Sequence, residues 1–170
     1  MPNLPVLRPL DAWLGQLLWV VSLLVCNIAL AQEPSPMTQI ARGTFTVKLQ
    51  PAADADNLDG VSLGRMTLEK VFEGDLVGSG AGTMLTSQSA STGAAVYVAI
   101  ERVTGTLGGR KGSFVFQHLG TMTRDSRELS IQVAPDSGTG ELKGLSGVFT
   151  LTIKDGVHAY AFEYTLPEPA

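Results

Sequence analysis

The stretch Ala94–Val103 is apolar on both faces apart from the glutamate and arginine near its end, and Glu101 falls in register with Tyr97, Ala99 and Val103. A carboxyl group projecting into an apolar interior has its charged form disfavoured. Its pKa rises, and it can then act as general acid or base or anchor a polar ligand group. The structural alternative is a salt bridge at a rim with a cross-strand base. Period alone does not say which face of this strand looks inward. Gln117-His118 is the second candidate. Successive strand residues face opposite sides, so one of the two points inward. His118 shares its face with Phe114 and Phe116, which suits either a satisfied core histidine or a ligand contact. Near the C-terminus, His158, Tyr160 and Glu163 form a further polar set, with His158 at the rim. The residues expected to meet a ligand are therefore Glu101, Gln117, His118, Tyr97 and Tyr160; none is assigned a catalytic role.

Other chemistries find less support. His118 and His158 with a carboxylate such as Glu101 would make a two-His-one-carboxylate metal set only if the fold joined them, and no local spacing signals it. No metal and no cofactor are expected. Gly78-Ser79-Gly80-Ala81-Gly82 has the glycines of a nucleotide loop but lacks its lysine and following helix. Alternating glycines instead bare one face of a strand for sharp curvature or a close ligand. Ser113 and Ser130 have no Gly-x-Ser-x-Gly context, so no hydrolase triad is indicated. The single cysteine, Cys26, lies in the N-terminal apolar segment. A domain processed beyond it would carry no disulfide, thiolate ligand or thiol nucleophile.

The elements that must position these residues follow a period of two. Phe45, Val47 and Leu49 alternate with polar partners, as do Met66, Leu68, Lys70 and Phe72. Leu129, Ile131 and Val133 alternate likewise, then Phe149, Leu151 and Ile153, then His158, Tyr160, Phe162 and Tyr164. Thr104–Gly112 reads as a hairpin and Asp155-Gly156 as a two-residue turn. Pro51–Gly60 is an acidic loop, and Pro135–Gly147 a glycine-rich connection with room for one helical turn near Gly140–Lys143. The chain beyond the N-terminal segment shows no helical period of useful length. About eight strands linked mostly by short turns predict an all-β, up-and-down antiparallel meander. Such a meander removes its two edges by closing into a barrel, with room inside for side chains or one small ligand; a two-sheet sandwich is the alternative.

The 170-residue chain carries a formal charge of −4 and no basic stripe, which argues against a nucleic-acid partner. Trp13–Cys26 is an apolar run followed by Ala29-Leu30-Ala31, the pattern of a signal peptide cleaved after residue 31. The run is short for a full span, so no stable membrane span is expected after processing. Residues 1–31 then form the signal, 32–38 a linker and 39–167 the barrel domain, which would be secreted or periplasmic. The alternative is a true start at Met37 and a cytoplasmic protein.

The runs Tyr97–Leu107 and Gly112–His118 resemble a bacterial family of domains of unknown function. So do Gly120–Thr123, Ser137–Gly147 and Tyr160–Leu166. The resemblance spans nearly all of Thr38–Pro167. It implies a barrel of the allene-oxide-cyclase type, and starts near Met37 in many members. Three functions are open at this point. One is a barrel binding a small apolar molecule, with Glu101, Gln117 and His118 fixing its polar end. The second is an isomerase or cyclase using the same cavity, as the resemblance to the cyclases would imply. The third is a non-catalytic structural or interaction barrel, homo-oligomeric through the apolar outer face of Ala94–Val103.

Overall fold

The computed structural model describes residues 37–168. The export-like segment and most of the expected linker lie outside them. The strands are β1 (Gln39–Pro51), β2 (Asp56–Leu58), β3 (Val61–Gly74), β4 (Leu76–Ser89), β5 (Ala95–Leu107), β6 (Arg110–Met122), β7 (Arg127–Val133), β8 (Ser146–Lys154) and β9 (Val157–Thr165). From β3 to β9 each strand pairs antiparallel with the next. β1 closes the ring by pairing with β9 over Gln39–Phe45 and with β3 over Gly43–Pro51. The result is an all-β, closed, eight-stranded antiparallel barrel, with β2 a three-residue addition hairpinned onto the start of β3. The single helical turn is a 3-10 turn, Gly140–Leu142, inside the connection where the sequence leaves room for one. Among the described residues no helix is long and apolar enough to cross a membrane.

Turn chemistry explains the tight returns. Gly108-Gly109 and Asp155-Gly156 hold positive φ at both central positions, 56° and 82° in the first turn and 51° and 79° in the second. That is the backbone a two-residue hairpin turn needs to match the twist of its flanking strands.

The two ends of the barrel differ. At the end carrying the β3–β4 and β5–β6 turns, alternate side chains from all around the wall meet in an aromatic core. Phe116 has Phe114 at 4.9 Å, Phe149 at 5.1 Å and Phe162 at 5.4 Å between ring centroids. Leu142 of the 3-10 turn and Leu145 beyond it are buried against this end. At the opposite end the same inward phase is left uncovered. Leu49 of β1 is 46% exposed, Leu129 of β7 44% and Ile153 of β8 59%, although each follows the alternation of buried neighbours on its own strand. The barrel is thus packed shut at one end and open at the other.

The wall also has a seam. Its strands are joined by ladders of seven to thirteen residue pairs except at β7–β8, which pair at Gln132↔Val148 alone.

Candidate functional site

Between the aromatic core and the open end lies a buried ionic cluster built from three strands. β5 turns Tyr97, Ala99, Glu101 and Val103 inward and leaves Val96, Val98 and Ile100 outside. The same parity brings His118 inward from β6 beside Phe116, and Lys70 inward from β3 between Leu68 and Phe72. Lys70 Nζ donates to Glu101 Oε2 at 2.7 Å. His118 Nε2 approaches the same oxygen at 3.0 Å, off the line of a directed hydrogen bond. The lysine ammonium also sits 5.0 Å from the Phe45 ring centroid and 5.7 Å from that of Phe72, so two aromatic faces take up part of its charge.

The electrostatics reverse one expectation. Burial by itself pushes Glu101 upward, and this is the largest single influence on it. The adjacent His118 ring and the Lys70 ammonium together outweigh it and hold the carboxyl below the ordinary carboxylate range. Glu101 is therefore ionised at neutral pH, not the raised-pKa acid that its apolar strand suggests. The cross-strand base that pairs with Glu101 is Lys70, which the sequence reading of β5 does not name. The signal was present, since Lys70 occupies the apolar phase of Met66-Leu68-Lys70-Phe72.

The second carboxylate oxygen, Oε1, is buried without a partner. It rests on Gly80 of β4, where a Cβ would collide with it. Of the alternating glycines of β4, Gly80 leaves room for the Glu101 carboxylate, whereas a Cβ at Gly78 or Gly82 would meet the β5 backbone.

Above the cluster, toward the open end, Leu68, Met84 and Ala99 form a small buried layer with Met66 and Tyr97 packed on it. The Tyr97 ring lies across Gly120 of β6, the residue whose partner on β7 is Leu129. Burial, and secondarily the Glu101 charge, raise the Tyr97 pKa, so its phenol stays protonated. Glu101 thus bears on Tyr97 through its charge, from one layer down.

The remaining residues fall elsewhere. Gln117 is exposed on the outer face, so His118 is the inward member of its pair and Gln117 does not reach the lumen. Tyr160 is inward but belongs to the packed end. The Leu76 N–H donates to its hydroxyl at 2.9 Å, and that hydroxyl donates to the Glu73 carbonyl at 3.2 Å, which clasps β9 to the β3–β4 turn. Burial is the main cause of its raised pKa. The His158 ring lies 5.1 Å from that of Phe45, tilted by 41°, and Glu163 projects from the opposite, exposed face of β9. Among the described residues no three His, Cys, Asp or Glu side chains gather as a metal set.

The outer wall carries a second feature. Leu85, Val98, Ile100 and Leu119 are exposed side by side across β4, β5 and β6. With Arg65, Gln117 and Gln132 at its edges, this surface forms a shallow concavity of about 730 Å³.

Comparison with known proteins agrees with the architecture. A family model described as "Protein of unknown function (DUF3224)" matches residues 41–164. The crystal structure of a DUF3224-family protein of unknown function from Shewanella oneidensis MR-1 is similar to this chain. The two are 45% identical, with 78% of this chain and 100% of that chain covered and a TM-score of 0.72. No curated protein matches the chain.

Proposed function

The chain belongs to the DUF3224 family, whose function is unknown, and we propose that its barrel binds one small, largely apolar molecule in the open half of the lumen. The observation that carries this reading is the exposure of Leu49, Leu129 and Ile153 on the inward phase, against near-complete burial of the same phase at the other end. Apolar surface turned inward yet left wet gains free energy when a ligand covers it, about 25 cal/mol per Å². Tyr97, protonated and half-buried, supplies a hydroxyl on the wall of this space. Glu101 and His118 stand beneath it, covered by Leu68, Met84 and Ala99. Binding without turnover is favoured over isomerase or cyclase chemistry, because Glu101, the buried acid beneath the open space, is committed to Lys70 and His118.

The test uses the apolar dye 8-anilinonaphthalene-1-sulfonate on the folded protein. Saturable one-to-one binding is expected, and a Leu129→Asp/Ile153→Asp variant should bind about tenfold or more weakly, a change of about 1.4 kcal/mol or more. Circular dichroism of that variant should be native, since both side chains are already solvent-exposed. Absence of dye binding to the folded wild type, or equal binding by the variant, overturns the reading.

The outer concavity favours a second, compatible reading, in which the barrel forms a homodimer through β5. Four aliphatic side chains exposed together exceed what scattered surface apolar residues present, and the patch centre carries no charge. Sedimentation velocity is expected to show a wild-type dimer and an Ile100→Glu monomer with unchanged dye binding. A monomeric wild type at tens of micromolar ends this reading and leaves the lumen proposal standing.

A further inference from the structure

We infer that the notch in the wall between β1 and the β8–β9 turn is a second binding site, one that takes an organic ammonium joined to a carboxamide, the chemistry of an amino-acid amide. It stands apart from the lumen and does not depend on the lumen-binding reading.

The notch exists because β1 outruns its partner on one side. β1 pairs with β3 as far as Pro51, but with β9 only as far as Phe45↔His158, since β9 begins at Val157 after the Asp155-Gly156 turn. A cleft of about 350 Å³ opens there, within the size range of small-ligand sites.

Hydrogen-bond parity decides what the strand edge shows to this cleft. The Ala52 N–H donates to the Arg65 carbonyl at 2.8 Å and the Asp75 N–H to the Arg42 carbonyl at 2.9 Å, at the two ends of one unbroken β1–β3 register. Residue pairs of an antiparallel ladder alternate between exchanging both bonds and exchanging none. The even-numbered residues of β1 therefore bond to β3, and the odd-numbered ones turn N–H and C=O to the opposite side. Pro51, which has no N–H to satisfy, falls in the odd set. Gly43 and Phe45 meet β9 on that side, while Val47 meets no strand and directs its N–H and C=O into the cleft that it lines. A single carboxamide offers the matching acceptor and donor side by side.

Glu73 sets the charge. It lines the same cleft from the outer face of β3, opposite Thr44, is exposed, and makes no ion pair among the described residues. Thr44 and Thr46 share that outer phase and bring two hydroxyls between Glu73 and Val47. Three residue steps, about 10 Å, separate Thr44 from Val47 along β1. The Glu73 side chain and a small ligand bridge that span together. A free carboxylate beside an uncharged strand edge favours a cation, and an ammonium donates to carboxylate and hydroxyl oxygens alike. On the inner side the Phe45 and His158 rings lie 5.1 Å apart, and with Val157 they give an aliphatic side chain of the ligand apolar surface to cover.

Three probes separate these features: L-leucinamide, N-acetyl-L-leucinamide, which lacks the ammonium, and L-leucine, which has a carboxylate in place of the amide. Each is titrated into the isotope-labelled full-length chain and followed by backbone amide NMR shifts. Leucinamide is expected to bind saturably, to move Thr46, Val47 and Val157, and to leave Ile100, Leu119 and Leu129 in place. Both other probes should bind at least tenfold more weakly. Glu73→Gln, at an exposed position, should keep native circular dichroism, weaken leucinamide about tenfold and leave N-acetyl-leucinamide unchanged. No saturable binding of leucinamide, equal binding of either other probe, shifts confined to other strands, or full leucinamide affinity in Glu73→Gln each overturn the site. Dye bound in the lumen should stay in place when leucinamide is added. Its displacement overturns the notch and leaves the lumen reading intact, whereas a wild type that binds leucinamide but no dye ends the lumen reading alone.

Discussion

Replacing Glu101 with glutamine is expected to cost the fold about 3–5 kcal/mol, the penalty for leaving a buried charge without its partner. In the wild type the Lys70 ammonium is 2.7 Å from Glu101 Oε2 and almost wholly buried. The amide keeps the shape but not the charge, and the two aromatic faces near Lys70 replace only part of the lost attraction. Urea unfolding, followed by the shift of the midpoint at constant slope, measures the effect. The double substitution Lys70→Met/Glu101→Leu should recover most of the loss, because apolar groups of similar volume carry no desolvation penalty. A loss below about 1 kcal/mol in Glu101→Gln, typical of an exposed pair, would show that the cluster is hydrated in solution.

The same pair has a pH signature whose sign is fixed. The folded carboxyl of Glu101 titrates below its unfolded value, so the unfolded chain binds the extra proton. Its contribution is complete above the unfolded carboxylate pKa of about 4.3 and is lost as pH falls through the lowered folded value. Stability of the wild type should therefore fall with acid in that window, and Glu101→Gln should fall less steeply by this one group's share.

The second large effect is expected at Phe116. Truncation to alanine should cost about 3–5 kcal/mol, the range for an aromatic ring removed from a core. Phe116 is fully buried, with three other aromatic rings within 5.4 Å of its centroid. The surrounding wall is a hydrogen-bonded ladder on β5, β6 and β7 and cannot easily collapse into the void. Phe116→Leu, which fills part of that volume, should lose distinctly less. Dye binding at the open end should survive in Phe116→Leu, since the ion cluster separates the two halves. Equal losses in both variants would mean that the packed end tolerates a cavity and does not carry the stability assigned to it.

Much of the cluster is legible in the sequence itself, and the reason is parity. In a strand the side chain alternates strictly, so Glu101 in phase with Ala99 and Val103, and His118 in phase with Phe116, had to share a face with apolar neighbours. Lys70 obeyed the same rule and was readable by it. What parity could not supply was pairing across strands. Glu101 and Lys70 are 31 residues apart, and only the registers Lys70↔Gly80 and Gly80↔Val103 bring their strands into range. The expected rise of the Glu101 pKa failed on that missing partner, because an isolated buried acid and a paired one shift in opposite directions.

The sequence alone determined an all-β chain of short-turned strands, with its turns at Gly108-Gly109 and Asp155-Gly156 and its aromatic phases on β6 and β9. These are local properties, set by φ/ψ preferences and by a period of two that each strand carries within itself. The tertiary structure alone decided which face of Ala95–Leu107 looks inward, since that strand is apolar on both sides. It also decided that the β1–β3 pairing closes the ring, that one end is packed and the other open, and that β7 and β8 share a single bridge pair. Those outcomes depend on how eight strands share one interior, a packing problem that no single strand encodes.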